Sequence, residues 1–223
     1  MEKYFDVLSR CPLFEGIDRK DYSVMLGCLG ARVMGFGKHQ QIFGEGEEAA
    51  YIGVVLSGAV QIVKEDYYGN RSIVDRMEPG ELFGESFACV GEPLPVSVVA
   101  EEACEIMLLG SRRISASCSK ACGFHSKLIY NLLKVVSRRN LVFNRKLEIL
   151  SKRTTREKLM TYLMYEAKRQ GSRDFTIPFD RQALADYLGV ERSAMSAELS
   201  KLRRDGIIDF DRSRFVLKAE LES

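Results

Sequence analysis

The stretch RQALADYLGVERSAMSAELSKLRRDG, residues 181–206, carries a packing pattern that few arrangements satisfy. Leu184 and Leu188 lie on one face of a short helix, and Ala185 is small where a second helix would cross it. Gly189, four residues on, allows the positive φ of a tight turn. Val190 fills the angle between the helices. Met195, Leu199 and Leu202 then repeat at helical spacing as the buried face of a second helix. Ala, then Gly four residues later, then a buried Met six beyond that is the arrangement of a helix-turn-helix. An αα-hairpin of another kind would share part of this pattern.

The opposite face of the second helix is unusual in being small. It presents Arg192, Ser193, Ser196, Ala197 and Ser200, where a surface helix ordinarily carries long charged side chains. Short side chains let the helix backbone sink into a groove about 12 Å wide, the width of the DNA major groove. Arg192, near the helix start, suits bidentate contact with guanine, and Ser193 and Ser196 reach phosphate or a base edge. Thr176, Arg181 and Gln182 sit where the first helix would meet the DNA backbone. Arg212 and Arg214 follow in GIIDFDRSRFVLK, which reads as a terminal hairpin, a wing whose arginines suit phosphate. Apart from Arg192, each of these side chains taken alone reads equally well as a solvated surface residue.

Upstream, TTREKLMTYLMYEAKRQGS reads as an amphipathic helix with Thr155 as N-cap and Gly171 as stop, followed by a short strand, FTIPF. Before it, from about Ser111 to Ser151, glycine nearly vanishes. Ile129, Leu133, Val136, Asn140, Phe143, Leu147 and Leu150 follow a 4-3-4-3-4-3 spacing, a coiled-coil seam with Asn140 at an a-type position. A polar residue there sacrifices stability to fix a two-stranded register, so the seam predicts a parallel homodimer. The alternative is a monomeric helix buried on two sides. A second stripe, Leu128, Leu132 and Val135, would pack on the domain before it.

That domain, about Val33 to Leu109, consists of short β-branched runs (YIGVVL, AVQIVKE, SIVDRM, VSVVA, EIMLL) between glycine turns (GEGEE, LSGA, YYGN, EPGE, VGEPLP). The regular turn spacing argues for a β-sandwich or barrel. The preceding DVLSRCPLFEGIDRKDYSVMLGCL reads as short helices. The expected fold class is α+β: a β-roll domain with N-terminal helices over residues 1–114, a long connecting helix over 115–151, and a winged helix-turn-helix over 152–223.

The bulk composition of the 223 residues, 46% hydrophobic and 29% charged, is that of a folded protein with ample core. Residues 151–223 hold fifteen Lys/Arg against twelve Asp/Glu, and the remainder eighteen against nineteen, so the basic excess sits beside the helix-turn-helix. Apolar runs are too short to cross a membrane, and MEKYFDVLSR lacks a signal-peptide apolar region, so a cytoplasmic protein is expected. The six cysteines are expected to be buried free thiols. An enzyme on the β-roll is excluded by inventory: the chain has two histidines, none in the strands, and no phosphate loop, nucleophile elbow or paired carboxylates.

The order β-roll, long helix, winged helix-turn-helix resembles the cyclic-AMP receptor/FNR family of bacterial transcription regulators over essentially the full length. The matching stretches are IFGEGEEAAYIGVVLSGAVQIV, MEPGELFGES, the seam helix, TTREKLMTYL and RQALADYLGVERSAMSAELSKLRRDGII. The resemblance implies a homodimer in which a small-molecule effector on each β-roll moves the long helix and reorients two DNA heads. RNA polymerase would be a partner if the chain activates. Where Ala197 sits, relatives often carry Arg or another long polar residue, so base reading at that point differs here. The rival reading is a small-molecule signalling module without sequence-specific DNA binding, which leaves the winged helix unexplained.

Cyclic-nucleotide binders of this family hold ribose with Gly-Glu and clamp the phosphate with an adjacent Arg-Ser or Arg-Thr. The chain keeps Gly84-Glu85, but the clamp positions fall on about Leu94 and Pro95, and no arginine lies between Arg76 and Arg112. Losing that charge-assisted pair in a dry site costs roughly several kcal/mol, so cyclic AMP is not the expected effector. Gly84 then serves a turn and Glu85 caps nearby amides, while Glu85, Ser86, Pro95, Val96 and Ser97 would line a pocket for a less charged ligand. No cofactor is expected: Cys11 and Cys28 are too few for an N-terminal iron–sulfur cluster, and haem would need His39 or His125. Cys118, Cys122 and His125 share a helix face at i, i+4 and i+7, a pattern open to metal (with Cys104 as fourth ligand), to thiol redox sensing, or to plain core.

Overall fold

The computed structural model describes residues 1–68, 71–115 and 123–218. The chain divides into two compact units, Met1–Arg139 and Asn140–Ser223.

The first unit opens with α1 (Phe5–Leu8) and α2 (Tyr22–Leu29), joined by single 3-10 turns. Eight strands follow: β1 (Arg32–Phe36), β2 (Gln41–Phe43), β3 (Tyr51–Ser57), β4 (Val60–Glu65), β5 (Arg71–Met77), β6 (Leu82–Phe83), β7 (Ser97–Ala100) and β8 (Cys104–Gly110), with α3 (Glu85–Val90) between β6 and β7. They form two antiparallel four-stranded sheets, ordered β1-β8-β3-β6 and β2-β7-β4-β5, as the turn spacing predicts for a β-roll. The strands β1, β2 and β6 were not individually legible, because their runs are short or interrupted by glycine.

Strand β3 explains why YIGVVL has no polar residue: it is buried on both faces. Ile52, Val54 and Leu56 join Leu8, Phe14, Met25 and Leu29 in a core beneath the N-terminal helices. Val55, on the other face, meets Val60, Val98, Ile106 and Phe83 between the sheets. Gly53 is required there, because a Cβ would stand 2.2 Å from the Phe83 ring.

α4 (Ser111–Ser115) is followed, beyond the undescribed 116–122, by α5 (Gly123–Ser151). Leu128 and Val135 are buried in the first core with Leu132 against it, so the second stripe packs as expected. Asn131 donates its amide to the Leu13 and Glu15 carbonyls at 3.0 and 2.8 Å. The helix runs through both units: Leu128 and Val135 are buried in the core of the first, and Ile149 is buried in the core of the second.

The second unit contains α6 (Thr155–Gln170), β9 (Asp174–Thr176), α7 (Arg181–Leu188), α8 (Arg192–Arg204), β10 (Ile208–Asp211) and β11 (Arg214–Leu217). The three strands form an antiparallel sheet ordered β10-β11-β9. The N-cap of α6 is Thr154, not Thr155. Its hydroxyl accepts from the Glu157 N–H at 3.1 Å while Glu157 accepts from the Thr154 N–H at 3.0 Å, a capping box that satisfies two end donors. Leu184, Leu188, Met195, Leu199 and Leu202 are fully buried, each contributing about 1.5–3 kcal/mol of apolar transfer. Among the described residues, no helix is long and apolar enough to cross a membrane.

Candidate nucleic-acid interface

The two helices of the quoted stretch stand as their spacing demands. Asp180 caps α7, accepting from the Ala183 N–H at 2.8 Å. Gly189 ends it at φ 59°, and the Val190 N–H closes the turn on the Ala185 carbonyl at 3.1 Å. Ala185 is fully buried at the crossing, and Met195, Leu199 and Leu202 turn inward.

The outer face of α8 carries Arg192, Ser193, Ser196, Ala197 and Ser200, all exposed. Ser196 donates its hydroxyl to the Arg192 carbonyl at 2.8 Å, and Ser200 to the Ser196 carbonyl at 2.9 Å. Such back-bonding folds the hydroxyls against the helix and lowers its profile further. Beside this face, a cleft of about 580 Å³ is lined by Arg181, Gln182, Arg192, Arg212 and Ser213 together with Ile177, Pro178, Phe179 and Asp180. Arg192 from the start of α8 and Arg212 from the wing turn therefore converge on one concavity. Neither is ion-paired among the described residues. Arg212 holds φ 49°, a left-handed conformation that tightens the wing turn.

Three of the expected contacts are already engaged within the chain. Arg181 lays its guanidinium 4.8 Å from the Phe210 ring centroid and 5.2 Å from that of Phe215, and burial pushes its pKa down. Arg214 makes a bidentate pair with Asp174, its Nε at 2.7 Å, which raises the arginine and lowers the carboxyl. Gln182 donates to Asp186 at 2.9 Å. Thr176 is exposed on β9, directly opposite Arg214 on β11. Ser213, Pro178 and Phe179 were missed as cleft residues; the only available signal was their adjacency to Arg212 and Asp180.

The seam residues Ile129, Leu133, Asn140, Phe143, Leu147 and Leu150 are exposed, Leu133 and Phe143 to 62% and 65%, and Val136 is half-buried. Among the described residues, most of this row of large apolar side chains on one helix stays uncovered.

At the proposed effector position, Gly84 holds φ 77° at the start of α3, as its turn role requires. The amide that the Glu85 carboxyl meets is its own backbone N–H. That carboxyl is fully buried and pairs with Arg139 of α5, which also donates to the Leu82 carbonyl at 2.8 Å. The second carboxyl oxygen has no hydrogen-bond partner, and burial, outweighing Arg139, raises the Glu85 pKa. Leu94, where a phosphate clamp would stand, is buried in the hydrophobic core. Ser86 and Pro95 are exposed and Val96 and Ser97 half-buried, with the Ser97 hydroxyl accepting from the Glu45 N–H at 3.1 Å. Phe43 stands between the two segments: its Cα pairs with Val98, and its ring lies 3.6 Å from where a Gly84 Cβ would be.

Cys118 and Cys122 lie outside the described residues. His125 is buried with its Nδ1 unpartnered, its ring 4.9 Å from Phe124. Cys104 belongs to the core between the sheets. Among the described residues no group of three His, Cys, Asp or Glu could hold a metal. Cys11 is a buried thiol with its pKa pushed up to about 12, but Cys28 is half-buried and Cys89 exposed, contrary to the expectation for all six. Cys89 ends up outside because it falls on the solvent side of the short α3. His39 is an exposed turn residue at φ 66°.

Residues 34–120 match the cyclic nucleotide-binding domain family, and residues 157–220 the Crp-like helix-turn-helix domain family. The chain is 27% identical to the nitrogen fixation regulation protein FixK of Azorhizobium caulinodans, covering 82% of this chain and 73% of that one. It is 25% identical to the cyclic AMP receptor protein of Thermus thermophilus, over 88% of each. Its fold is similar to the crystal structure of the Thermus thermophilus catabolite activator protein, with a TM-score of 0.57 at 23% identity, covering 92% of this chain and 93% of that one. With a β-roll of this topology followed by a winged helix-turn-helix, the chain belongs to the cyclic-AMP receptor/FNR family of transcription regulators.

Proposed function

We propose that the protein is a cytoplasmic, non-enzymatic regulator that binds a near-palindromic operator as a homodimer. A signal at the β-roll passes through α5 to two DNA heads. The observation that carries the DNA reading is the convergence of Arg192 and Arg212, neither ion-paired among the described residues, on one cleft beside the small-residue face of α8. A helix shaved to Ser and Ala can enter the major groove, with Arg192 reading guanine and Arg212 meeting phosphate. The exposed seam from Ile129 to Leu150 supports pairing with a second copy, with Asn140 setting a two-stranded register. Two-fold symmetry then places half-sites about one helical turn, roughly 34 Å, apart.

Cyclic nucleotides are not the effector in this reading. The resemblance puts the phosphate clamp at about Leu94 and Pro95, neither of them charged and Leu94 a core residue, and the Glu85 carboxyl that would meet ribose pairs with Arg139. Gly84, Glu85, Ser86, Pro95, Val96 and Ser97 mark the region where a less charged effector would act. If the protein activates, RNA polymerase is a further partner. Selection of bound DNA from a random pool, with and without cell extract, tests the proposal. Recovery of one symmetric sequence is expected, with binding that weakens steeply with salt. A pool that stays random in both arms would leave a signalling module without DNA specificity.

A further inference from the structure

The turn between α7 and α8 is gripped from outside the helix-turn-helix. Lys146 of α5 places its Nζ 3.6 Å from the centroid of the Tyr187 ring and donates to the Tyr187 carbonyl, in the last turn of α7. Lys158 of α6 donates to the Gly189 carbonyl at 3.3 Å. Two ammonium groups thus meet the negative end of the α7 dipole where the chain turns toward α8. Tyr187 is itself held, stacked on Phe179 at 4.9 Å and 5.4 Å from Tyr162. One turn further along α5, Leu150 closes on Gly189, where a Cβ would stand 3.3 Å from its Cδ2. Ile149 is buried in the same core.

The final turns of the long helix are therefore keyed to the turn that aims the reading helix. Packing alone would need only an apolar side chain at position 146. The charge is directed at one carbonyl, five residues before Arg192, and partial burial of the ammonium pushes its pKa down. We propose that Lys146 is a positioning residue for DNA reading: it ties the α7–α8 turn to the end of α5, so that the aim of α8 follows the long helix. This rests on the DNA-binding function proposed above.

The test compares Lys146→Met, which keeps the bulk, with Lys146→Arg, which keeps charge and aromatic stacking, in the full-length protein. In the free protein, hydrogen exchange at residues 187–191 should rise by about tenfold or more in Lys146→Met, while amides around Leu199 stay protected. Affinity for the selected operator should fall by about tenfold, and affinity for unrelated DNA by less than about twofold, because phosphate attraction does not depend on aim. Lys146→Arg should restore both readouts. Unchanged exchange in the turn of Lys146→Met would overturn the proposal. So would parallel loss of operator and unrelated DNA together with exchange rising throughout the head, the mark of a merely structural lysine. If the wild-type protein prefers no sequence, it is the proposed function that fails; the exchange measurement, which needs no DNA, still decides whether Lys146 holds the turn.

Discussion

Replacing Arg192 with Ala should separate base reading from phosphate attraction. Arg192 is exposed at the start of α8 and has no ion-pair partner among the described residues, so its removal leaves no buried charge behind. Fold stability should therefore shift by no more than about 0.5 kcal/mol. Loss of a bidentate guanine contact costs about 1–3 kcal/mol per head. A homodimer loses it twice, about 2–6 kcal/mol in all, which is an operator affinity roughly 30-fold to more than 10⁴-fold weaker. Arg212→Ala should behave differently. It removes one phosphate contact per head, two per dimer, and should lower the slope of log affinity against log salt by about 1.8 for operator and unrelated DNA alike. Fluorescence anisotropy across a salt series measures both quantities. If Arg192→Ala weakens operator and unrelated DNA equally, or leaves discrimination at every base pair intact, the assignment of Arg192 to base reading is wrong.

Asp174→Asn should release Arg214 from its bidentate pair and remove a negative charge from the wing, so all DNA should bind more tightly with a steeper salt slope; unchanged binding would place that edge away from DNA. Asn140→Leu should keep or raise the stability of the oligomer while admitting states other than two-stranded ones, read by sedimentation equilibrium; a strictly dimeric variant would deny Asn140 its register role. For Glu85, the folded-state pKa is raised, so its stabilising contribution is complete below the ordinary carboxylate range, near pH 4.5, and is lost as pH rises through the raised value. Glu85→Gln does not titrate, and its melting temperature should gain on the wild type between pH 4.5 and 8. A wild type that gains on the variant over that range would mean that Arg139 outweighs burial.

What could be read from sequence was what local packing dictates. Ala185, Gly189 and Met195 have fixed jobs at a helix crossing, a left-handed turn and a buried face, and each is visible within eleven positions. The heptad spacing from Ile129 to Leu150 and the stripe Leu128–Leu132–Val135 are likewise helix geometry written into the chain. The Thr154 cap was legible too, in the spacing of Thr154 and Glu157, but the neighbouring Thr155 obscured it. What stayed hidden depends on partners distant in sequence. Glu85 looks like an amide cap until Arg139, fifty-four residues on, reaches it. Arg214 looks free until β9 brings Asp174 beside it, and Arg181 looks like a phosphate contact until Phe210 and Phe215 take its guanidinium. No periodicity announces such pairings, because they are made by sheet register and helix docking.

Hydroxyl-radical footprinting of the protein on its selected DNA measures directly whether two small-residue helices enter one duplex together. Two protected stretches related by a two-fold axis, with centres about one helical turn apart and guanines shielded in the major groove, are expected. A single unsymmetrical footprint, or none at any protein concentration that saturates the mobility shift, would contradict the paired-head arrangement.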